Sequence, residues 1–318
     1  MLDDLVRPPG DPTRERTERI LRHVPRAGKL LELGASFAPV VPRAGGWNTF
    51  LLDHATAPEL REKYLAHGVD VSRVEEVDFV WRHGALEDAV PEAHHGTFDA
   101  CVASHVIEHM PDLVAFFGAL ERLLRPEGVV ALAVPDKRTC FDFFQAHTTT
   151  AEVLEAHQAH RSRHSPRTAF RALAYASSLD GQIAWSQGPT RIPSLVHRAL
   201  AIPLGAFDAT DDSDASPYVD HHASCFTPAS FELLLFELGQ LGLVRFRVLE
   251  VGPSVGCEFT VTLARGAEAL LPDAEQTARR ESFLRRMLVE TRESLDAVLG
   301  APALPRSTPP PSAQDRDG

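Results

Sequence analysis

Residues Phe98–Asp112 read FDACVASHVIEHMPD, and this stretch decides the fold. Phe98–Ser104 is a short, mostly apolar run, which predicts a strand buried on both faces. From Leu113 the spacing changes. Leu113, Phe116, Phe117, Leu120, Leu123 and Leu124 recur at three- and four-residue intervals, which places them on one face of a helix. Pro126 and Gly128 break that helix, and VVALAVP, Val129–Pro135, reads as the next buried strand. Strand, helix and strand in this order imply a parallel pair joined by a crossover.

Working outward, Lys29–Leu33, Thr49–Asp53 and Val77–Trp81 supply three earlier strands, after a lead-in with a helix near Arg14–His23. The predicted fold is α/β: a doubly wound, Rossmann-like sheet of seven strands. Its last pair is Val244–Val251 and Phe259–Ala264, joined by a turn holding Gly252, Pro253 and Gly256, and the last strand runs antiparallel. A helix over Pro228–Leu241 starts behind Thr227, in the manner of a cap followed by proline. A charged helix spans about Asp273–Leu299, with Leu284, Leu288, Leu295 and Leu299 on one stripe. The expected organisation is a lead-in (1–28), a binding core (29–139), a helical cap (140–225), the end of the core (226–266), the long helix (267–299) and a disordered proline-rich tail (300–318).

Composition narrows the functions. The chain has 318 residues, and 44% hydrophobic with 24% charged residues is ordinary for a globular protein. A net charge of -12 argues against nucleic acid as a partner, because that affinity comes from Lys and Arg neutralising phosphates. No apolar stretch reaches the roughly 20 residues that span a bilayer. MLDDLVRPPGDPTRERTERI carries charges throughout and no signal-peptide core, so a cytoplasmic location is expected. Cys101, Cys140, Cys225 and Cys257 are scattered, without the spacing of a zinc site or a disulfide framework.

In an open parallel sheet, ligands sit beyond the carboxyl ends of the strands, so the residues just past each strand are the informative ones. Here LLELGAS (Leu30–Ser36), a second strand closing on Asp53, FDACVASHVIEHMPD and LLRPEGVVALAVP (Leu123–Pro135) follow in order. In that order the chain resembles class I S-adenosylmethionine (SAM)-dependent methyltransferases, over roughly residues 28–136 and 226–266. The resemblance implies SAM as cofactor. It implies that Asp53 takes the ribose hydroxyls, that Glu32, Gly34, Ala35 and Ser36 form the loop near the amino-acid head, that Ala85 and Leu86 flank the adenine, and that Ser104 and His105 border the methionine portion. VPDKRTCFDFF and the later DHH…FTP string are similar to a subgroup encoded near polysaccharide and glycosyltransferase genes, which implies a small-molecule or sugar-containing acceptor. Asp136, Lys137, Arg138 and His222 are then candidates for holding that acceptor.

Methyl transfer from a sulfonium is an in-line displacement, so positioning does most of the work. A hydroxyl acceptor also gains from a base, and histidine suits neutral pH. His221 is the first candidate, with His105 and Lys137 as the other catalytic candidates. His105–His109 also fits H-x-x-E-H, an inverted zinc-protease pattern. Zinc needs both histidines one turn apart on a helix and a third ligand, and similar strings occur in methyltransferases without metal, so no metal is assigned. Two rival readings remain: a non-catalytic SAM-fold scaffold, which the glycine-poor loop Gly34–Pro39 favours, and a zinc hydrolase. The oligomeric state is not legible.

Overall fold

The computed structural model describes residues 12–185, 191–211, 213, 216 and 219–300. Its main sheet has seven strands: β1 (Lys29–Leu33), β2 (Asn48–Asp53), β3 (Phe79–Val80), β4 (Phe98–Ser104), β5 (Leu124–Pro135), β6 (Phe246–Val251) and β7 (Glu258–Arg265). Their order is β3-β2-β1-β4-β5-β7-β6. The first five run parallel, and β7 lies antiparallel between β5 and β6. This is the Rossmann-like architecture that the alternation of elements predicts. The chain moves outward from β1 to β3 and then returns to β4 on the other side. The order therefore reverses between β1 and β4, and the carboxyl ends of those two strands mark the expected binding crevice.

Alternate residues of the central strands serve opposite faces. Leu31, Leu33, Cys101, Ala103, Val130 and Leu132 join the larger core cluster. Leu30, Ala100, Val102, Ala131 and Ala133 join a second one with Ile20, Val24, Val40 and Val41. Both faces are apolar, which is why the strands read as continuous hydrophobic runs rather than as alternating ones. Each fully buried Leu contributes about 1.5–3 kcal/mol relative to exposure.

The helices are α1 (Pro12–Ile20), α2 (Ala57–Ala66), α3 (Leu113–Leu123), α4 (Thr150–Gln158), α5 (Pro166–Ala174), α6 (Ala201–Ala209), α7 (Pro228–Gln240) and α8 (Asp273–Leu299). α3 begins at Asp112, whose side chain accepts the Ala115 N–H, and buries Phe116, Phe117, Leu120 and Leu123. α7 begins at Thr227 in a reciprocal capping box with Ser230, as the Thr-Pro start predicts.

Several expectations need correction. β5 starts at Leu124, so Pro126 and Gly128 lie inside a strand rather than in a turn before it. Leu124 pairs with Phe98, and the register slips before Ala100 meets Val129, which absorbs the irregular residues. β3 is only two residues long, because Val77 and Asp78 are spent on the approach to β2, where the Asp78 carboxylate accepts the Leu51 N–H at 2.7 Å. The lead-in helix ends at Ile20 rather than near His23. The link from β1 to β2 holds a single short 3-10 turn, Arg43–Gly45. α8 buries none of its residues, and its leucine stripe is exposed. The expected tail beyond Gly300 lies outside the described residues.

Candidate active site

β1, β2 and β4 are adjacent, so Leu33, Asp53 and Ser104 end side by side. Gly34 has a φ of 64°, and an added Cβ would lie 2.7 Å from Val106 Cγ2. Only glycine fits there without strain. Its N–H donates to Leu52 O (2.8 Å), which ties the turn to the end of β2. Ser36 also adopts the left-handed region, at φ 51°. The loop thus keeps its double bend with one glycine where a second would be easier. Ala35 is buried between them.

Asp53 is 3% exposed. One oxygen accepts the Ser36 N–H (2.9 Å) and the other accepts the His54 N–H (2.7 Å), with His54 Nδ1 also 2.7 Å away. These contacts orient the carboxylate, and Oδ2, which takes the Ser36 N–H, has capacity for a further donor. Glu32 is buried, and its two oxygens accept the Val40 and Val41 N–H groups at 2.6 and 3.0 Å. Burial pushes its carboxyl up to about 7, against the pull of those two amides. Glu32 therefore fixes the β1–β2 link, and in this arrangement its oxygens face backbone.

Ala85 and Leu86, the expected flank of the adenine, follow β3. Leu86 is buried in the larger core cluster, while Ala85 is exposed. Both line a cavity of about 230 Å³ with Trp81, Met110, Pro111 and Asp112, and neither Gly34 nor Asp53 forms part of that wall.

At the end of β4, His105 takes a φ of 55° and its N–H donates to Ala133 O (3.0 Å). A non-glycine residue held there is strained, which concentrates at functional positions. Its Nε2 lies 2.8 Å from Glu258 Oε2. Glu258 opens β7 opposite Pro135. Arg16 of α1 clamps the same carboxylate from two nitrogens, both at 2.7 Å, and donates to Ser104 Oγ at 2.6 Å. Burial pushes the Glu258 carboxyl up, but hydrogen bonds from His105 and Arg16 outweigh it and hold the group below its usual range.

The acceptor candidates after β5 divide. Asp136 is fully buried, and its oxygens accept from Arg138 N (2.9 Å), the Arg138 guanidinium and Ser254. Asp136 and Arg138 are thus turned on each other and on the β6–β7 turn. Lys137 Nζ donates to Phe143 O (3.0 Å), and burial lowers its pKa. Asp136–Lys137 pairs with Phe226, which brings the segment holding His221 and His222 back to the end of β5. There the two histidines part company. His221 lies near His164, ring centroids 5.9 Å apart, with its pKa lowered by burial. His222 is buried and hydrogen-bonds Asp142 through Nδ1. Burial alone would lower the His222 pKa, but the Asp142 hydrogen bond and charge outweigh it and raise it. Arg16, Glu258 and Asp142 are the members that sequence reasoning missed. Each is an ordinary residue until the fold places Glu258 and Asp142 against His105 and His222, and Arg16 against Glu258.

A family model described as a methyltransferase domain matches residues 13–178. Ubiquinone biosynthesis O-methyltransferase of Xanthomonas oryzae pv. oryzae is 36% identical over 77 residues, which are 24% of this chain and 30% of that protein. The chain thus spans under a third of the length of this curated relative. Among solved structures, a SAM-dependent methyltransferase from Aquifex aeolicus is 13% identical, covering 80% of this chain and 94% of that one at a TM-score of 0.39. A protein from Rhodobacter sphaeroides described as a putative Zn-dependent alcohol dehydrogenase is also 13% identical, covering 80% and 90% at 0.45. At these TM-scores neither structural likeness decides anything. Among the described residues, no helix is long and apolar enough to cross a membrane.

Proposed function

The chain belongs to the methyltransferase-domain family, and from that premise we propose that it moves a methyl group from SAM to an oxygen or nitrogen of a small acceptor. The observation that carries this reading is the meeting of Gly34, Ser36 and Asp53 at the carboxyl ends of β1 and β2, beside Ser104 and His105 of β4. SAM supplies an electrophilic methyl on a sulfonium. Asp53 would hold the ribose hydroxyls with its remaining acceptor capacity, since its contacts to Ser36 and His54 fix its orientation in advance. The bent backbone of Gly34–Ser36 would admit the amino-acid head at close range, with Glu32 holding the β1–β2 link behind it. The bend is formed despite its single glycine, which removes the main support for a non-catalytic scaffold.

On the acceptor side, His105 is the better-placed base. Its side chain is about one-third exposed, and Glu258 and Arg16 fix its orientation. In that arrangement Glu258 engages Nε2 and leaves Nδ1, 3.7 Å from Glu108 Oε1, as the nitrogen that would take the proton. The segment 140–225 would cover the acceptor, sugar-containing in the subgroup that VPDKRTCFDFF resembles. Incubation with SAM and panels of phenolic, hydroxylated and sugar-containing acceptors tests the reading by mass spectrometry. A methylated product with matching S-adenosylhomocysteine is expected, and His105→Asn should slow it by 100-fold or more. Full turnover in His105→Asn would remove the histidine from the mechanism.

A further inference from the structure

Four residues past the end of β4, the structure places a carboxylate that nothing above uses. Glu108 is 1% exposed, and neither of its oxygens receives a hydrogen bond. A buried carboxylate left unpaired is costly, and such groups in folded proteins are normally paired or bound to a cation. Three imidazole nitrogens lie near the same oxygen: His109 Nε2 at 3.7 Å, His222 Nε2 at 3.8 Å and His105 Nδ1 at 3.7 Å from Oε1, the last belonging to a ring whose Nε2 is held by Glu258. One ligand atom from each of Glu108, His109 and His222 lies within 4.8 Å of the other two.

We propose that Glu108, His109 and His222 form a binding site for a first-row divalent cation of the zinc type. Two imidazoles and one carboxylate are a donor set suited to such ions. Ligand bonds of about 2.0–2.2 Å in tetrahedral geometry would separate the donor atoms by about 3.3–3.6 Å. The two Glu108–histidine separations, 3.7 and 3.8 Å, need to close by a few tenths of an ångström, while the separation of the two histidine donors, within 4.8 Å, leaves up to about 1 Å to close on binding.

The surroundings support the assignment independently of these distances. The far nitrogen of each histidine has an acceptor, the arrangement that fixes a metal-ligating ring and its tautomer. His222 Nδ1 bonds Asp142, while His109 Nδ1 lies 3.1 Å from both Asp220 Oδ1 and His221 O. The backbone holds the two halves together, because Glu108 O accepts the N–H groups of Ala223 (2.7 Å) and Ser224 (3.0 Å). Glu108 and His109 come from the turn after β4, and His222 comes from the return of the inserted segment. The ion would therefore join core and insertion.

This ligand set differs from the H-x-x-E-H reading, which would use His105 and His109 on one helix. Here His105 faces Glu258, residues 107–109 form a short 3-10 turn, and the third ligand comes from 113 residues further on in the chain, position 222 against 109. Three protein ligands leave a position open for water or for an acceptor oxygen. A coordinated acceptor hydroxyl would lose its proton more readily. That last consequence rests on the methyl-transfer reading, whereas the ion site does not.

The test is zinc binding to the untagged, metal-stripped full chain, measured by competition with a chromophoric chelator and without any SAM. One Zn²⁺ per chain is expected at submicromolar affinity. Glu108→Gln and His222→Ala should weaken it by at least 100-fold, and Asp142→Asn by about 10–100-fold because it loosens the His222 ring that Asp142 holds. His67→Ala, on the exposed surface, should leave it unchanged. Should Glu108→Gln or His222→Ala not fold by circular dichroism, Asp142→Asn and a zinc-dependent rise in the melting temperature of the unaltered chain decide the matter. Stoichiometry well below one, or Glu108→Gln binding as tightly as the unaltered chain, overturns the site. Because none of these readouts involves turnover, failure here leaves the methyl-transfer proposal standing, and the reverse holds too.

Discussion

At the ends of β1 and β2, the working groups are backbone amides and two carboxylates that lie close in sequence: Ser36 bonds Asp53 across 17 positions, and Glu32 bonds Val40 across 8. At the ends of β4 and β5, the working groups are ionisable side chains from distant segments. His222 meets Asp142 across 80 positions, His105 meets Glu258 across 153, and Arg16 meets Glu258 across 242. The first region is built to hold something of fixed shape with few charges. The second concentrates histidine and carboxylate, and it depends on the whole fold to assemble. A shared cofactor and a particular acceptor ask for these two constructions.

The largest effect that separates the two regions should come from Glu258→Gln. Loss of the carboxylate releases His105 and Arg16, and methyl transfer should fall by about 100- to 10,000-fold while SAM affinity stays within about twofold. Parallel loss of SAM affinity would show that the regions are not separable in this way.

Glu32 gives a stability effect confined to the first region. Its folded-state carboxyl lies at about 7 against an ordinary 4.5, so between those values the folded chain binds more protons than the unfolded one. Its contribution to stability is full below pH 4.5 and is lost as pH rises through 7, by up to about 3 kcal/mol. Denaturant melts from pH 5 to 8 should show that slope in the unaltered chain, and Glu32→Gln should flatten it. An identical slope in both would place the titrating group elsewhere.

Asp53→Ala should weaken SAM by about 1.5–3 kcal/mol, the range for hydrogen bonds to a charged group, with turnover at saturating SAM less affected. Smaller again is Gly34→Ala. The left-handed conformation alone costs an alanine about 1–2 kcal/mol, and Val106 must shift to clear the new Cβ. Chemical denaturation should register the loss, and unchanged stability would mean that the loop relaxes freely.

The same contrast explains what the sequence disclosed. Strand limits at Leu33, Asp53 and Ser104 followed from local apolar runs, and those runs follow from burial on both faces of one sheet. Gly34 and Asp53 were legible because position relative to a strand end is a local property. The acceptor side was not. His221 and His222 are indistinguishable as neighbours in a string, and only the placement of Asp142 separates them. Asp136 and Arg138 looked available because a turn after a strand is usually solvated, yet each neutralises the other indoors. Periodicity showed that α8 has an apolar stripe, but it does not say whether anything covers it, and here that stripe is exposed.

Calorimetric titration of SAM into the unaltered chain tests the central claim most directly. The convergence of Gly34, Ser36 and Asp53 predicts saturable binding at one site per chain. Absence of binding heat at millimolar SAM, in protein shown to be folded, would contradict it.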